Sequence, residues 1–146
     1  MESRHLCRAK RTDNGEWVEG FYFSMTHPGG RHTHHFIIPL GADLSLGTAI
    51  EKIQVEIDPS TICQCTGLED KNGKLIWEKD IVKYYADTDE SGNDLFIYYK
   101  VLWHQNHHCW WLSEINTTEG EYLREFRSRD VEVIGSVIDN PGLLEV

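Results

Sequence analysis

Twice in this chain an Asn-Gly pair, Asn14-Gly15 and Asn72-Gly73, stands between short runs rich in aromatic and β-branched residues. Both positions of such a pair accept positive φ, which makes it the strongest local signal for a hairpin. A chain punctuated in this way is committed to antiparallel strands.

The runs themselves support that reading. Residues 5–10 and 16–23 flank the first turn, and Trp17, Val18, Phe21, Tyr22 and Phe23 suit a pleated, half-buried surface. A loop through Pro28, Gly29 and Gly30 leads to His34, His35, Phe36, Ile37 and Ile38, a strand closed by Pro39, so a second hairpin is expected. Residues 40–48 show no period and read as a loop or one short helical turn. Ile53, Val55 and Ile57 alternate with Lys52, Gln54 and Glu56, the period of a strand with one buried face. After the second Asn-Gly, two apolar runs, Leu75-Ile76-Trp77 and Ile81 to Tyr85, are separated by Glu78-Lys79-Asp80. Leu95, Ile97, Tyr99, Val101 and Trp103 then alternate with Phe96, Tyr98, Lys100, Leu102 and His104. This longest strand is apolar on both faces and is expected at the centre of a sheet. Trp110 and Trp111 would face opposite sides of the next strand. Residues 119–127 carry Tyr122, Leu123 and Phe126 on one helical face, Val131 and Val133 open a last strand, and Asn140-Pro141 is a helix-start signal. The fold class is mainly all-β, with at most one or two short helices.

At 146 residues the chain fits a single domain, 1–146, divisible into small subdomains 1–62 and 63–146. Its formal charge of −10 repels a phosphate backbone, and the short cluster of Arg8, Lys10 and Arg11 does not reverse that balance. Nucleic acid is therefore not an expected partner. Four cysteines, Cys7, Cys63, Cys65 and Cys109, lack any C-x-x-C spacing and read as buried thiols. The first residues have no signal-peptide core and no apolar run reaches the length of a membrane span, so a soluble protein of the cytoplasm is expected.

The segment Gln64, Thr66, Gly67, Leu68, Asp70, Lys71, Asn72, Gly73, Lys74, Ile76, Trp77, Glu78, Asp80, Ile81, Val82 resembles the central motif of the YopX family, small proteins carried by bacteriophages and prophages. The likeness extends more weakly to residues 59–62, to Arg8-Ala9, and to the closing residues 133–137 with Asn140-Pro141 and Leu143-Leu144. It implies a complex all-β fold of two small subdomains, one of them barrel-like, and brings no established activity and no catalytic residues. Lys79 departs from the pattern, because the family usually has Gly there. A turn demanding positive φ is awkward for Lys, so either the bend tolerates an ordinary residue or its geometry differs.

Two patterns outside the motif carry chemistry. Asp87, Asp89, Ser91, Gly92 and Asp94 reproduce the first half of a calcium loop, in which alternating oxygens wrap a hard cation, but Tyr98 stands where the bidentate acid should be. Histidines gather as His32, His34, His35 and as His104, His107, His108; if the two segments paired, three imidazoles could meet on a divalent metal. No cofactor is required by the sequence, and no catalytic residue stands out. The acidic pair Glu78 and Asp80 lacks an oriented partner. The surplus of Trp and Tyr is suited either to a partner or oligomer surface or to a core between two subdomains. The expected role is thus a phage-derived protein-binding or assembly module acting on itself or on a host or phage protein. The alternative is a metal-dependent enzyme or metal-binding protein using the histidines.

Overall fold

The computed structural model describes residues 3–43, 45, 47 and 49–145. The chain forms two units, Met1–Cys65 and Thr66–Val146.

In the first unit β1 (Cys7–Lys10) and β2 (Trp17–Thr26) form the expected opening hairpin, with Ala9 opposite Val18. Only Gly15 of the Asn-Gly pair takes positive φ, at 71°. The Asn14 carboxamide instead accepts the Glu16 amide at 2.9 Å, so the connection is longer than a two-residue turn. β2 continues into β3 (Thr33–Pro39), with Thr26 opposite Thr33 and Gly20 opposite Pro39. The strand expected through Ile53, Val55 and Ile57 shortens to β4 (Val55–Glu56), because 50–52 is a 3₁₀ turn and Ile57 makes only a single bridge to Arg11. Of the aperiodic stretch 40–48, Leu44, Leu46 and Thr48 lie outside the described residues. β5 (Cys63–Glu69) pairs its first residues with β1, giving the order β4-β3-β2-β1-β5. The core of this unit is Ala9, Val18, Ile37 and Ile57. Cys63 and Cys65 share one buried face, as strand alternation requires, and all four cysteines are thiols.

The second unit takes over the later residues of β5, which run beside β6 (Leu75–Trp77). Its main sheet has the order β10-β9-β8-β7-β11, where β7 is Asp80–Thr88, β8 Asp94–His104, β9 Cys109–Glu114, β10 Gly120–Tyr122 and β11 Val131–Ser136. The longest strand is the central one, as its two apolar faces demand. One face of this sheet carries Val82, Tyr99, Val101, Leu112 and Val131, which pack with Ile76 and Leu123 into the core. Trp110 packs on that side against Trp103, while Trp111 points to the other face and meets Tyr122.

Two expectations are corrected. Residues 119–127 do not form a helix: Gly120–Tyr122 pairs with β9, and only the 3₁₀ turn Leu123–Glu125 follows, because the sheet edge satisfies these amides in place of helical carbonyls. Helical structure among the described residues consists of short 3₁₀ turns. Neither sheet closes into a barrel, since each order ends on separate strands, and the edges β4 and β10 are only two and three residues long. No helix among the described residues is long and apolar enough to cross a membrane.

Candidate functional site

The motif residues build a turn and its anchor. Asp70 follows β5 and is nearly buried. Its Oδ1 accepts the backbone amides of Asn72 and Lys74, both at 2.9 Å, and its Oδ2 accepts the amide of Val133, also at 2.9 Å. Burial alone would raise the pKa of this carboxyl, but the amides of Val133, Lys74 and Asn72, with the Lys74 charge, outweigh it and hold the pKa below the usual value. Gly73 supplies the positive φ of the turn, and the Thr66 hydroxyl donates to the Ile76 carbonyl at 2.7 Å. Asp80, fully buried, accepts the Trp77 amide at 2.8 Å, and Glu78 and Lys79 form the bend between them. Lys79 sits at φ 67°, so the bend keeps its left-handed geometry with an ordinary residue in place. The Lys79 amide and carbonyl are fixed by the Val101 carbonyl and the Val137 amide. In this segment the carboxylates of Asp70 and Asp80 are both taken up by backbone amides.

The calcium-like loop repeats the same device. Asp89 Oδ1 accepts the amides of Ser91 and Asn93 at 2.9 and 2.8 Å, as Asp70 Oδ1 accepts those of Asn72 and Lys74. In both turns the glycine amide returns to the aspartate carbonyl, from Gly92 to Asp89 and from Gly73 to Asp70. Hydrogen bonds from the Asn93 backbone and side chain hold the Asp89 pKa low. Asp87 caps the Thr88 amide, Asp94 accepts the Thr88 hydroxyl at 3.3 Å, and the Ser91 amide is one of the donors to Asp89. A cation in this loop would compete with those donors for the same oxygens.

The histidines fall into local pairs. In the first unit His34 stacks edgewise on His27, with ring centres 5.1 Å apart, and its Nδ1 lies 3.7 Å from Glu56; His35 Nδ1 meets the Tyr22 hydroxyl at 2.7 Å, and His32 lies in the exposed loop before β3. In the second, His104 and His107 stack at 4.4 Å, His104 Nδ1 accepts the His107 amide, and His107 Nδ1 meets the Tyr122 hydroxyl at 3.0 Å. His108 follows at φ 49° in the turn into β9. Among the described residues no three of His, Cys, Asp and Glu are placed to hold one metal ion.

The structure assembles a site that sequence reading missed. A cavity of about 560 Å³ in the second unit is lined by Ile97, Tyr99, Trp111, Glu114, Thr118, Glu119, Gly120 and Glu121. Tyr99 is 5% exposed, and among the described residues its hydroxyl makes no hydrogen bond. Burial, then the charges of Glu114 and Glu121, raise its phenol pKa above the usual 10.0. Glu114 stands opposite Tyr99 on β9, and the Glu114 amide bonds to the Glu119 carbonyl, which brings the acids of β9, its loop and β10 together. None of these three glutamates has a cationic partner among the described residues. The only available signal in the sequence was the spacing of Glu114, Glu119 and Glu121 around a turn, which becomes a cluster only once β10 pairs with β9.

A family model described as YopX protein matches residues 7–145, nearly the whole chain. The chain belongs to the YopX family. Among solved structures, the crystal structure of protein EF1440 from Enterococcus faecalis is similar to it, with a TM-score of 0.52 and 23% identity over 94% of this chain and 96% of that one. At that identity the likeness speaks for the YopX fold alone. No curated protein matches the chain. The YopX motif residues coincide with the Asp70 turn, the Asp80 bend and the start of β7, whereas every residue lining the acidic cavity lies outside them.

Proposed function

We propose that this YopX protein is a phage- or prophage-encoded accessory protein that works in the bacterial cytoplasm as a protein-binding or assembly module. One observation carries the reading: the face of the β7-β8-β9-β10 sheet turned away from its core exposes a row of aromatics. Tyr85 and Phe96 are cross-strand partners with rings 6.0 Å apart, Lys83 lies 4.0 Å over the Phe96 ring, and Tyr98, on the same side of β8, is also exposed. Trp and Tyr on a rigid sheet offer large contact area at low entropic cost, which is where binding energy concentrates. The net charge of −10 favours a basic partner surface and faster encounter with it.

The test is capture of host and phage proteins at low salt, with light scattering of the purified protein for self-association. Wild-type protein is expected to hold a specific partner, or a second copy, that Phe96→Ser/Tyr98→Ser loses while keeping its melting temperature. A monomer that retains nothing specific, or a partner indifferent to the double substitution, overturns the reading.

A second reading, metal binding, rests on the stacked pair of His104 and His107, whose Nδ1 atoms are engaged while the Nε2 atoms make no hydrogen bond among the described residues. Elemental analysis of protein purified without a histidine tag tests it. A stoichiometric transition metal lost on His104→Ala supports it, and metal well below stoichiometry overturns it.

A further inference from the structure

We propose that the free edge of β2, from Tyr22 to Thr26, pairs antiparallel with the same edge of a second copy of this chain, about a two-fold axis at Ser24. The inference gives the assembly reading a partner, and it rests on a backbone edge of the first unit rather than on the aromatic face of the second.

β2 outruns one of its neighbours. β1 covers only Trp17 to Gly20, ending at the Cys7–Gly20 pair, whereas β3 lines the other side of β2 as far as Thr26. In an antiparallel ladder the N–H and C=O of one residue point to the same side, and those of the next residue to the other. The Glu16 carbonyl accepts the Arg11 amide on the β1 side, and the Glu19 carbonyl accepts the Leu40 amide on the β3 side. Alternation therefore turns the backbone groups of Tyr22, Ser24 and Thr26 to the side that β1 has left, where they make no hydrogen bond among the described residues. Exposed sheet edges are usually guarded by Lys, Pro, a bulge or an inward charge. Residues 20–26 read Gly-Phe-Tyr-Phe-Ser-Met-Thr, with none of these, and the β2–β3 register runs without a shift. Phe21, Tyr22 and Met25 on this strand are all exposed.

The edge is complementary to itself. With Ser24 opposite the second copy's Ser24, Tyr22 falls opposite Thr26, and at each of these positions the two residues exchange both of their hydrogen bonds. Phe23 then lies opposite the second copy's Met25 at a non-hydrogen-bonded position, where side chains approach most closely and a thioether against a ring is a favourable contact. The length fits as well. The slot opens after Gly20, and β2 ends at Thr26, with Gly29 and Gly30 at positive φ turning the chain back into β3. In this register the second copy's strand ends opposite Tyr22, before it reaches the position that β1 occupies. Residues 20–26 carry no charge, so the net charge of −10 sets no like charges face to face along the pairing, and a charged peptide finds no counter-charge there.

Sedimentation equilibrium of the full chain from about 1 µM to about 1 mM tests this. A reversible dimer is expected, with hydrogen exchange at the Tyr22, Ser24 and Thr26 amides slowing as the dimer forms. Ser24 is exposed, so Ser24→Lys and Ser24→Glu should leave the melting temperature of the dilute protein unchanged. Each sets like charges together at the axis and should weaken the dimer about fivefold or more, while an equimolar mixture of the two variants regains it as a heterodimer. Ser24→Pro, which removes an edge N–H and spares the bonds to β3, provides a further variant should a charge disturb the strand. A chain that stays monomeric throughout, a dimer indifferent to all three substitutions, or folded Lys and Glu variants that do not recover on mixing overturns the proposal. A dimer lost in Phe96→Ser/Tyr98→Ser and kept in Ser24→Lys overturns this edge and leaves the aromatic-face reading standing. A dimer lost in Ser24→Lys and kept in Phe96→Ser/Tyr98→Ser, in a chain that captures nothing else, does the reverse.

Discussion

The carboxylate of Asp70 holds the backbone amide of Val133 at 2.9 Å, across 63 residues of sequence. With its other oxygen on Asn72 and Lys74, this one side chain shapes a turn and ties it to β11. The neighbouring Lys71 reinforces the tie, its amide on the Val131 carbonyl and its ammonium 3.1 Å from Glu132.

Asp70→Asn should cost about 2–3 kcal/mol. The carboxamide keeps one acceptor oxygen for the turn but turns an NH₂ toward the Val133 amide, leaving two donors face to face. Urea unfolding checks this, and a loss under about 0.5 kcal/mol would show that the tie to β11 contributes little.

The same carboxylate sets an acid limit. Its folded pKa is depressed, so its contribution is fully present above the unfolded value of about 3.9 and disappears as pH falls through the folded value. The stability gap between wild type and Asp70→Asn should therefore be constant from neutral pH down to about pH 5 and narrow below about pH 4. Unfolding curves for both proteins across that window measure it; a gap that widens on acidification would reverse the assigned sign.

Lys79→Gly should stabilise the protein by about 0.5–1 kcal/mol. Lys79 holds φ 67°, a region that strains side chains with a Cβ, and both of its backbone hydrogen bonds survive in glycine. Part of the gain is offset by the greater freedom of glycine in the unfolded chain. Thermal melts decide it, and a lower melting temperature would mean that contacts of the Lys79 side chain outweigh its backbone strain.

Gly120→Ala should destabilise by about 1–3 kcal/mol and disturb the aromatic near-ultraviolet circular dichroism. A Cβ at this position would run into the Trp111 indole and lie 2.6 Å from the Leu112 carbonyl oxygen, so the indole must move. An unchanged near-ultraviolet spectrum would show that the indole stays in place and that the added methyl is accommodated in another way.

Much of the fold was legible in the chain because strand period and turn chemistry are local. Alternation in 95–104 placed β8 at the centre of its sheet, and Asn72-Gly73 marked its turn, although only the glycine adopts positive φ. The helix read into 119–127 failed because Tyr122, Leu123 and Phe126 also satisfy a short edge strand followed by a 3₁₀ turn, and the partner that tips the balance, β9, is a tertiary fact. Likewise the D-x-S-G pattern of the 89–92 loop serves a cation or an aspartate-capped turn equally well in sequence, and here the amides of Ser91 and Asn93 occupy Asp89 Oδ1 while the Asn93 side-chain amide donates to Oδ2.

By itself the sequence determined the all-β class, the family and the turn positions, since these depend on residue type and spacing along the chain. The tertiary structure alone decided what the polar groups are for. Asp70 became a clasp because Val133 lies beside it, and Tyr99 with Glu114, Glu119 and Glu121 became a cavity because sheet pairing brings separated residues within reach of one another's charge. Burial and proximity set the value of a polar group, and neither is written in the spacing of residues along a strand.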